Sequence, residues 1–350
     1  MTEPFPGRVV AYLAVVVAAA LVACAGVQTP PRSTQVAATE VSRRSKQIPP
    51  PAPPLLYVSD QSTGNIYVWN WNTLAAVPSY DIIGNFTKPY GQCVDKSGDI
   101  YIADYATGNT LEFARGGTHP TSTYAYPGAG SGAAIGCSID LDGDVAVSYS
   151  ATSGNNNAPQ GEIAVWYRGG GTPSQYTSTD CYSMWPPGFD HTGNLFVQGE
   201  NSVSVPEICM LPAGGTSLST LSLSGGTINS PGSVMWDGQH IALTDQKANP
   251  FKTGIYRTTL SGTTLTVVGT ETILHDSCIL VHHNSLLVQP FIVGTRNTPL
   301  TTSVGTKIVG GDATCNSGKV GLWHYTGGLL PYNTATSPPL LPYGQSVSFR

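Results

Sequence analysis

Along most of the chain, apolar, β-branched and aromatic residues fall in short runs separated by Asp, Asn, Gly and Ser. Residues 89–117, PYGQCVDKSGDIYIADYATGNTLEFARGG, show the pattern whole and predict three strands, over 92–95, 99–104 and 109–114. The turn between the first two strands reads Asp-x-x-Gly-[Asp/Asn]-apolar. It recurs at Asp95, Gly98, Asp99 and Ile100, at Asp140, Gly143, Asp144 and Val145, and at Asp190, Gly193, Asn194 and Leu195. A copy one residue shorter uses Asp237, Gly238, His240 and Ile241. The last copy, from His282 and His283 to Leu286, keeps the apolar frame without the Asp. A spacing of about 45 to 50 residues belongs to propellers and solenoids. Third strands are expected over 111–114, 162–167, 207–211, 254–258 and 320–325, each followed by a weaker Thr- and Tyr-rich fourth.

The two ends choose between a closed ring and an open β-helix, the structural alternative. Residues 55–71 match the second and third strands of the repeat, with no first strand before them. The missing text stands at the other end, where 342–347 (PYGQSV) copies 89–94 (PYGQCV). A C-terminal strand completing the N-terminal blade closes a propeller and removes its exposed edges. The expected fold is therefore all-β: a six-bladed β-propeller closed by pairing of the C-terminal strand with the N-terminal blade.

The Pro-x-Gly-x-x-Val-Asp of 89–95 and the Asp-x-x-Gly turns resemble the NHL-repeat and gluconolactonase-like group of six-bladed propellers, over nearly all of 55–350. The resemblance implies the fold. No equivalent of the acidic and amide metal ligands of such lactonases can be placed, so that activity is not carried over.

Composition fits an exposed all-β domain. Only 11% of the 350 residues are charged, Gly is abundant, and the net charge is −5. The one basic cluster, Arg43, Arg44 and Lys46, lies outside the repeats, which argues against nucleic-acid binding. Residues 1–24 resemble a bacterial lipoprotein signal, with Arg8, an apolar run over 9–22, and Leu21, Val22, Ala23 and Cys24 as a lipobox. Cys24 is the expected lipidation site, and a diacylated cysteine with an acylated amine anchors stably. Soluble secretion after a small-x-small cleavage and a retained apolar helix are the alternatives. Residues 25–54, rich in Pro, Ser and Thr, read as a disordered spacer, and 55–350 as the propeller. The localisation expected is extracytoplasmic, tethered to the cell envelope.

Candidate chemistry concentrates on one face. Connections between second and third strands lengthen at 150–161, 199–206, 245–253 and 289–318, and insertions on one face of a repeat protein mark its binding side. At the channel mouth the position of Tyr90 recurs as Ile135, Trp185, Gly232, Ser277 and Tyr343. Tyr90, Trp185 and Tyr343 are placed to stack on a sugar ring or an extended chain end, with His275 and Asp276 as polar contacts. The competing reading is that Tyr90 and Tyr343 plug the mouth and pack on their prolines. Asp140, Asp142 and Asp144 look like the start of a calcium loop, but the later bidentate Glu is absent and a turn explains them. His282 and His283, adjacent on a strand, point to opposite faces and cannot chelate one ion. No metal and no cofactor is expected.

Besides Cys24 there are six cysteines, an even number suited to an oxidising compartment. Cys93 and Cys137 lie at opposite parity in the first strands of neighbouring blades, as a bridge between them requires. Cys181 with Cys209 and Cys278 with Cys315 complete the expected set, with buried free thiols as the alternative. No hydrolase or nucleotide motif is present. The chain is therefore read as a monomeric ligand-binding or protein-interaction module, whose partner is a small molecule, glycan or protein on the loop-rich face. A metal-dependent lactonase- or lyase-like enzyme with a site in the central funnel, and a structural envelope protein, are the alternatives.

Overall fold

The structure, a computed structural model, describes residues 53–128, 132–150, 161–249, 252–270, 272–274, 286–288, 307–312, 319–324, 333–336 and 342–348. Strands β1 (Leu55–Asp60) and β2 (Asn65–Asn70) form a hairpin. Then β3 (Pro89–Val94), β4 (Ile100–Asp104), β5 (Thr110–Phe113) and β6 (Pro120–Tyr124) make an antiparallel sheet in chain order. So do β7 (Ala133–Ile139), β8 (Val145–Ser150), β9 (Glu162–Trp166) and β10 (Ser174–Thr177). The next meander holds β11 (Ser183–Met184), β12 (Gly188–Phe189), β13 (Leu195–Glu200), β14 (Pro206–Leu211) and β15 (Ser219–Ser224). It is followed by β16 (Pro231–Trp236), β17 (Ile241–Asn249), β18 (Lys252–Ser261), β19 (Thr264–Val267) and β20 (Thr272–Leu274). A further sheet contains β21 (Leu286–Val288), β22 (Lys307–Asp312), β23 (Lys319–His324) and β24 (Asn333–Thr336). Finally β25 (Pro342–Ser348) returns to the start of the chain.

There β25 pairs antiparallel with β1, Leu56 opposite Val347 and Val58 opposite Gln345. First strands also touch in sequence: β25 with β3, β3 with β7, β7 with β12, β12 with β16, β16 with β21, and β21 with β25. A side-chain knot reinforces the first of these junctions. The Gln92 amide donates to Ser59 Oγ at 2.6 Å and to the Gly344 carbonyl at 3.2 Å, and Ser346 Oγ donates to Gln92 Oε1 at 2.7 Å.

All of β1 is buried although it mixes polar and apolar residues, because successive side chains face opposite neighbours. Leu55 and Tyr57 pack against Ile100, Ile102 and Phe113 of one sheet. Leu56 and Val58 pack against Val320, Leu322 and Val347 on the other side. The same two-sided burial places Tyr101 and Ala103 against Val147 and Tyr149, and Phe196 and Ile208 against Val234 and Leu243. The core is thus a series of layers between sheets.

The recurrent turn performs two tasks. The carboxylates of Asp95, Asp140 and Asp190 accept from the backbone N–H two and four residues on. Gly98, Gly143 and Gly193 take the positive φ, 86° to 89°, that the turn demands. The second acid or amide reaches across to the next turn: Asp99 accepts from Arg115 N, Asp144 from Arg168 N, and Asn194 from Ala213 N, at 2.8 to 3.1 Å. Asp140 is therefore occupied by its own turn.

Three features depart from the expected repeat. In the last sheet β22 occupies part of the connection expected over 289–318 and pairs with both β21 and β23, so β21, expected from the sequence as the second strand after the turn at His282, stands instead in the first-strand position. The outermost strands β15 and β19 pair in parallel, Leu223 opposite Leu265, and join two meanders into one ten-stranded sheet. The connection expected over 245–253 is instead a hairpin continuing β17 and β18, with Asn249 opposite Lys252.

Cys93 is bonded to Cys137, linking β3 to β7, and Cys181 to Cys209 within the following meander. Both bridges agree with the pairing expected from the sequence, and they point to an oxidising, extracytoplasmic compartment. Cys24, Cys278 and Cys315 lie outside the described residues, as do His282 and His283. Among the described residues no helix is long and apolar enough to cross a membrane. Replacing Cys93 and Cys137 together by Ala is expected to lower stability by on the order of 3 kcal/mol. Urea denaturation of that variant, compared with the parent protein, measures it.

Candidate functional site: a rim of bulges

The first strand of each meander is not regular. In β3 the pairing with β4 slips between Pro89 and Gln92, so Tyr90 and Gly91 together stand opposite Ala103. In β25 Tyr343 and Gly344 stand opposite Ser59. In β16 Gly232 and Ser233 stand opposite Thr244, and in β7 the slip falls at Ile135. In the fourth case Pro186 and Pro187 split the strand into β11 and β12, since proline cannot donate to the ladder. Met184 to Gly188 is still one residue longer than the facing stretch from Gly199 to Phe196, and Trp185 N donates to Gln198 O. Five of the first strands, β3, β7, β11 with β12, β16 and β25, therefore carry one extra residue at the same height, and the three paired residues of β21 carry none.

A β-bulge twists its strand and re-aims a side chain. Here the bulged positions are Tyr90, Ile135, Trp185, Gly232 and Tyr343, the set aligned from the sequence as the channel mouth. Tyr90, Trp185 and Tyr343 are half-buried, and Ile135 is buried. Tyr90 stacks on Tyr343, ring centroids 5.0 Å apart, and on Tyr105 at 5.6 Å. Lys88 Nζ lies 6.0 Å above the Tyr105 ring. Trp185 stands outside this stack. Burial raises the Tyr343 phenol pKa, so the hydroxyl is neutral. His275, Asp276 and Ser277 lie outside the described residues.

Buried carboxylates fix the approach to the bulges. Asp104 ends β4 and accepts from Thr87 N and Lys88 N at 2.9 Å and from Ala106 N at 3.1 Å. Asp245 does the same in its meander, accepting from Asn229 N, Asn229 Nδ2 and Ser230 N. Tyr105 N donates to Lys88 O, which locks the turn after β4 to the segment before β3. Hydrogen bonds from buried carboxylates thus fix the backbone around the rim. The structure brings together Tyr90 and Tyr343, which the sequence singles out, with Tyr105 and Lys88, which it does not. Their signal was available in the adjacency of Lys88 to Pro89 and of Tyr105 to the strand-ending Asp104.

At the same end of the sheets, Asn201 Oδ1 accepts from Val203 N and Val205 N. That turn displays two valines, 74% and 47% exposed. Of the connections expected over 150–161 and 289–318, residues 151–160, 289–306 and 313–318 lie outside the described residues, and β22 occupies 307–312. Among the described residues no group of three His, Cys, Asp or Glu is placed to hold a metal ion.

Glu162, at this end of β9, is buried, and burial raises its carboxyl pKa above the ordinary 4.5. A raised folded-state pKa gives stability that is present below the ordinary value and is lost as pH rises through the folded one. Glu162→Gln is therefore expected to gain melting temperature relative to the parent protein as pH rises from 4 to 7. Melting curves across that range check it.

No family model and no curated protein matches the chain. Solved structures do. A protein of unknown function from Bacteroides caccae is similar with a TM-score of 0.57 and 13% identity, over 85% of this chain and 100% of its own. A chain of a nidogen/laminin complex gives 0.55 and 17%, over 84% and 98%. TolB from Acinetobacter baumannii gives 0.55 and 13%, over 85% of this chain and 66% of TolB. At such identities the likeness is one of fold, and the fold is that of a β-propeller.

Proposed function

We propose that this chain is an exported, lipid-anchored, six-bladed β-propeller that binds a small molecule, a glycan or a protein at its bulge rim. In this reading Cys24 carries the lipid and residues 25–54 hold the domain clear of the membrane. The β25 strand closes the ring as the first strand of the N-terminal blade. The round of contacts between first strands and the pairing of β25 with β1 support the six-bladed ring. The two disulfides support export. Counting β11–β15 and β16–β20 as separate blades gives the sixth sector.

The observation that carries the binding reading is the repeated bulge. One extra residue at the same height in successive first strands weakens the ladder each time, and only at Ile135 does it add a buried apolar side chain in return. What it supplies is a ring of re-aimed side chains, with the Tyr343–Tyr90–Tyr105 stack and Trp185 among them. Aromatic faces suit sugar rings and peptide side chains, and Tyr and Trp at the centre of a contact carry a large share of its affinity.

The test is a thermal-shift screen with neutral and acidic oligosaccharides, lactones and peptides, followed by titration of the hits. Tyr90→Ala and Trp185→Ala are each expected to weaken a hit by about tenfold or more, a loss of about 1.4 kcal/mol or more. The reading is overturned by a screen without hits, or by hits that bind both variants as tightly as the parent protein. A shift that requires an added divalent metal replaces it with the lactonase- or lyase-like reading.

A further inference from the structure

Near the rim, at the interface between the second and third sheets, lies a polar group that the core does not account for. Glu162 of β9 stands directly opposite Tyr149 of β8, so both side chains leave the same face of the sheet. Both are buried, with 6% and 2% of their surface exposed. Tyr126, half-buried, closes over them, its ring 4.7 Å from that of Tyr149 at an angle of 54°. Tyr126 also touches the turn after β4, where a Cβ on Gly108 would lie 3.3 Å from its own. That turn carries Tyr105, so the cluster adjoins the aromatic stack.

The polar accounts of this cluster do not balance. The Glu162 carboxyl takes one hydrogen bond, from Gln175 Nε2 at 3.2 Å. Among the described residues no lysine, arginine or histidine pairs with it. The Tyr149 hydroxyl is buried with no hydrogen-bond partner. The unpartnered buried phenol costs free energy, and beside it one Glu162 oxygen has no hydrogen bond among the described residues. The negative charge of Glu162 is felt by both phenols, whose pKa values it raises together with burial.

One chemical group satisfies all three residues at once. A primary ammonium brings the missing positive charge and three N–H donors. One donor meets the open carboxylate oxygen, one the Tyr149 hydroxyl oxygen, and the cation lies against tyrosine faces. A neutral hydroxyl supplies no charge, and an anion is repelled by Glu162.

We infer that Glu162, Tyr149 and Tyr126 form a binding site for a primary ammonium group, next to the aromatic rim and independent of it. The group arrives on a free amine or on a lysine side chain of a protein partner. Binding holds Glu162 ionised, and the proton it releases passes to solvent.

The experiment is calorimetric titration of the purified protein with n-butylammonium, with the peptide acetyl-Gly-Lys-Gly-amide, and with n-butanol as the uncharged control. Saturable binding of either cation and none of butanol is expected. Glu162→Gln, which keeps the shape and removes the charge, weakens it by about tenfold or more, that is by at least about 1.4 kcal/mol. Tyr126→Leu, at a half-buried position, gives a second and smaller loss without disturbing the carboxyl. Stronger binding of the peptide identifies a protein lysine as the source, and stronger binding of butylammonium identifies a free amine. Absence of saturable binding by both cations overturns the inference. So does binding that Glu162→Gln leaves unchanged, or that butanol reproduces.

Discussion

Gly344→Ala is expected to leave no folded protein. A Cβ built on Gly344 would sit 1.8 Å from the Tyr90 carbonyl oxygen, where real Cβ atoms essentially never come within 3.0 Å of a neighbour. The obstacle is backbone on the next first strand, so no side-chain rotation relieves it. Gln92 cannot retreat either, since its amide is bonded to Ser59 and to Gly344 itself. Separating the two strands would break that knot and open the buried layer beneath it. The cost is expected to reach at least about 5 kcal/mol, the whole stability of many domains. Gly91→Ala meets the Ile135 carbonyl at 2.5 Å and the Gly136 Cα at 2.7 Å, and should be nearly as damaging. Gly170→Ala is the control. Nothing lies within 4 Å of its Cβ and its φ is −140°, so the change should stay within about 0.5 kcal/mol. Far-UV circular dichroism and urea denaturation of the three variants measure the contrast.

Deleting residues 342–350 is expected to be equally severe. Without β25 the edge of β1 is stripped of its partner, and Leu56 and Val58 lose the cover of Val347. Each such side chain returned to water costs about 2 kcal/mol. The freed edge is long and apolar, which makes it a template for aggregation. Gln92 loses two of its three partners and Gly98 loses the Ser348 hydroxyl at 2.8 Å. The shortened chain should appear in the insoluble fraction, or as a species lacking the cooperative melt of the full chain. Recovery of that melt on adding a synthetic 342–350 peptide would trace the defect to the missing strand.

The architecture could be read from the sequence because its signals are local and repeated. Asp-x-x-Gly turns name themselves through a side chain that bonds its own backbone, and the five identities in six positions between 89–94 and 342–347 fix which strands are equivalent. Cysteine parity likewise points to the Cys93–Cys137 bridge, whereas Cys181–Cys209 follows only from both residues lying in one repeat. The bulges could not be read, although their residues could be aligned. Pro-Tyr-Gly reads as an ordinary strand start, and the extra residue is visible only against the partner strand. The second acid or amide of each turn likewise reads as a turn residue, since its partner, such as Arg115 for Asp99, lies 16 residues away. The parallel pairing of β15 with β19 left no mark, because Ser- and Thr-rich strands lack the alternation that sets register. Glu162 looked like any polar residue opening a strand. Its isolation is made by Tyr126, a residue of the preceding repeat.

The account rests on the first and last strands being one structural unit, for Tyr343 reaches the rim only through that pairing. Hydrogen–deuterium exchange of the full chain, read strand by strand, tests this most directly. Amides of β25 are predicted to exchange with those of β1, both at the slowest, global-unfolding rate of the domain. Exchange of β25 amides orders of magnitude faster than that of β1 amides would contradict the pairing, and with it the rim that Tyr343 completes.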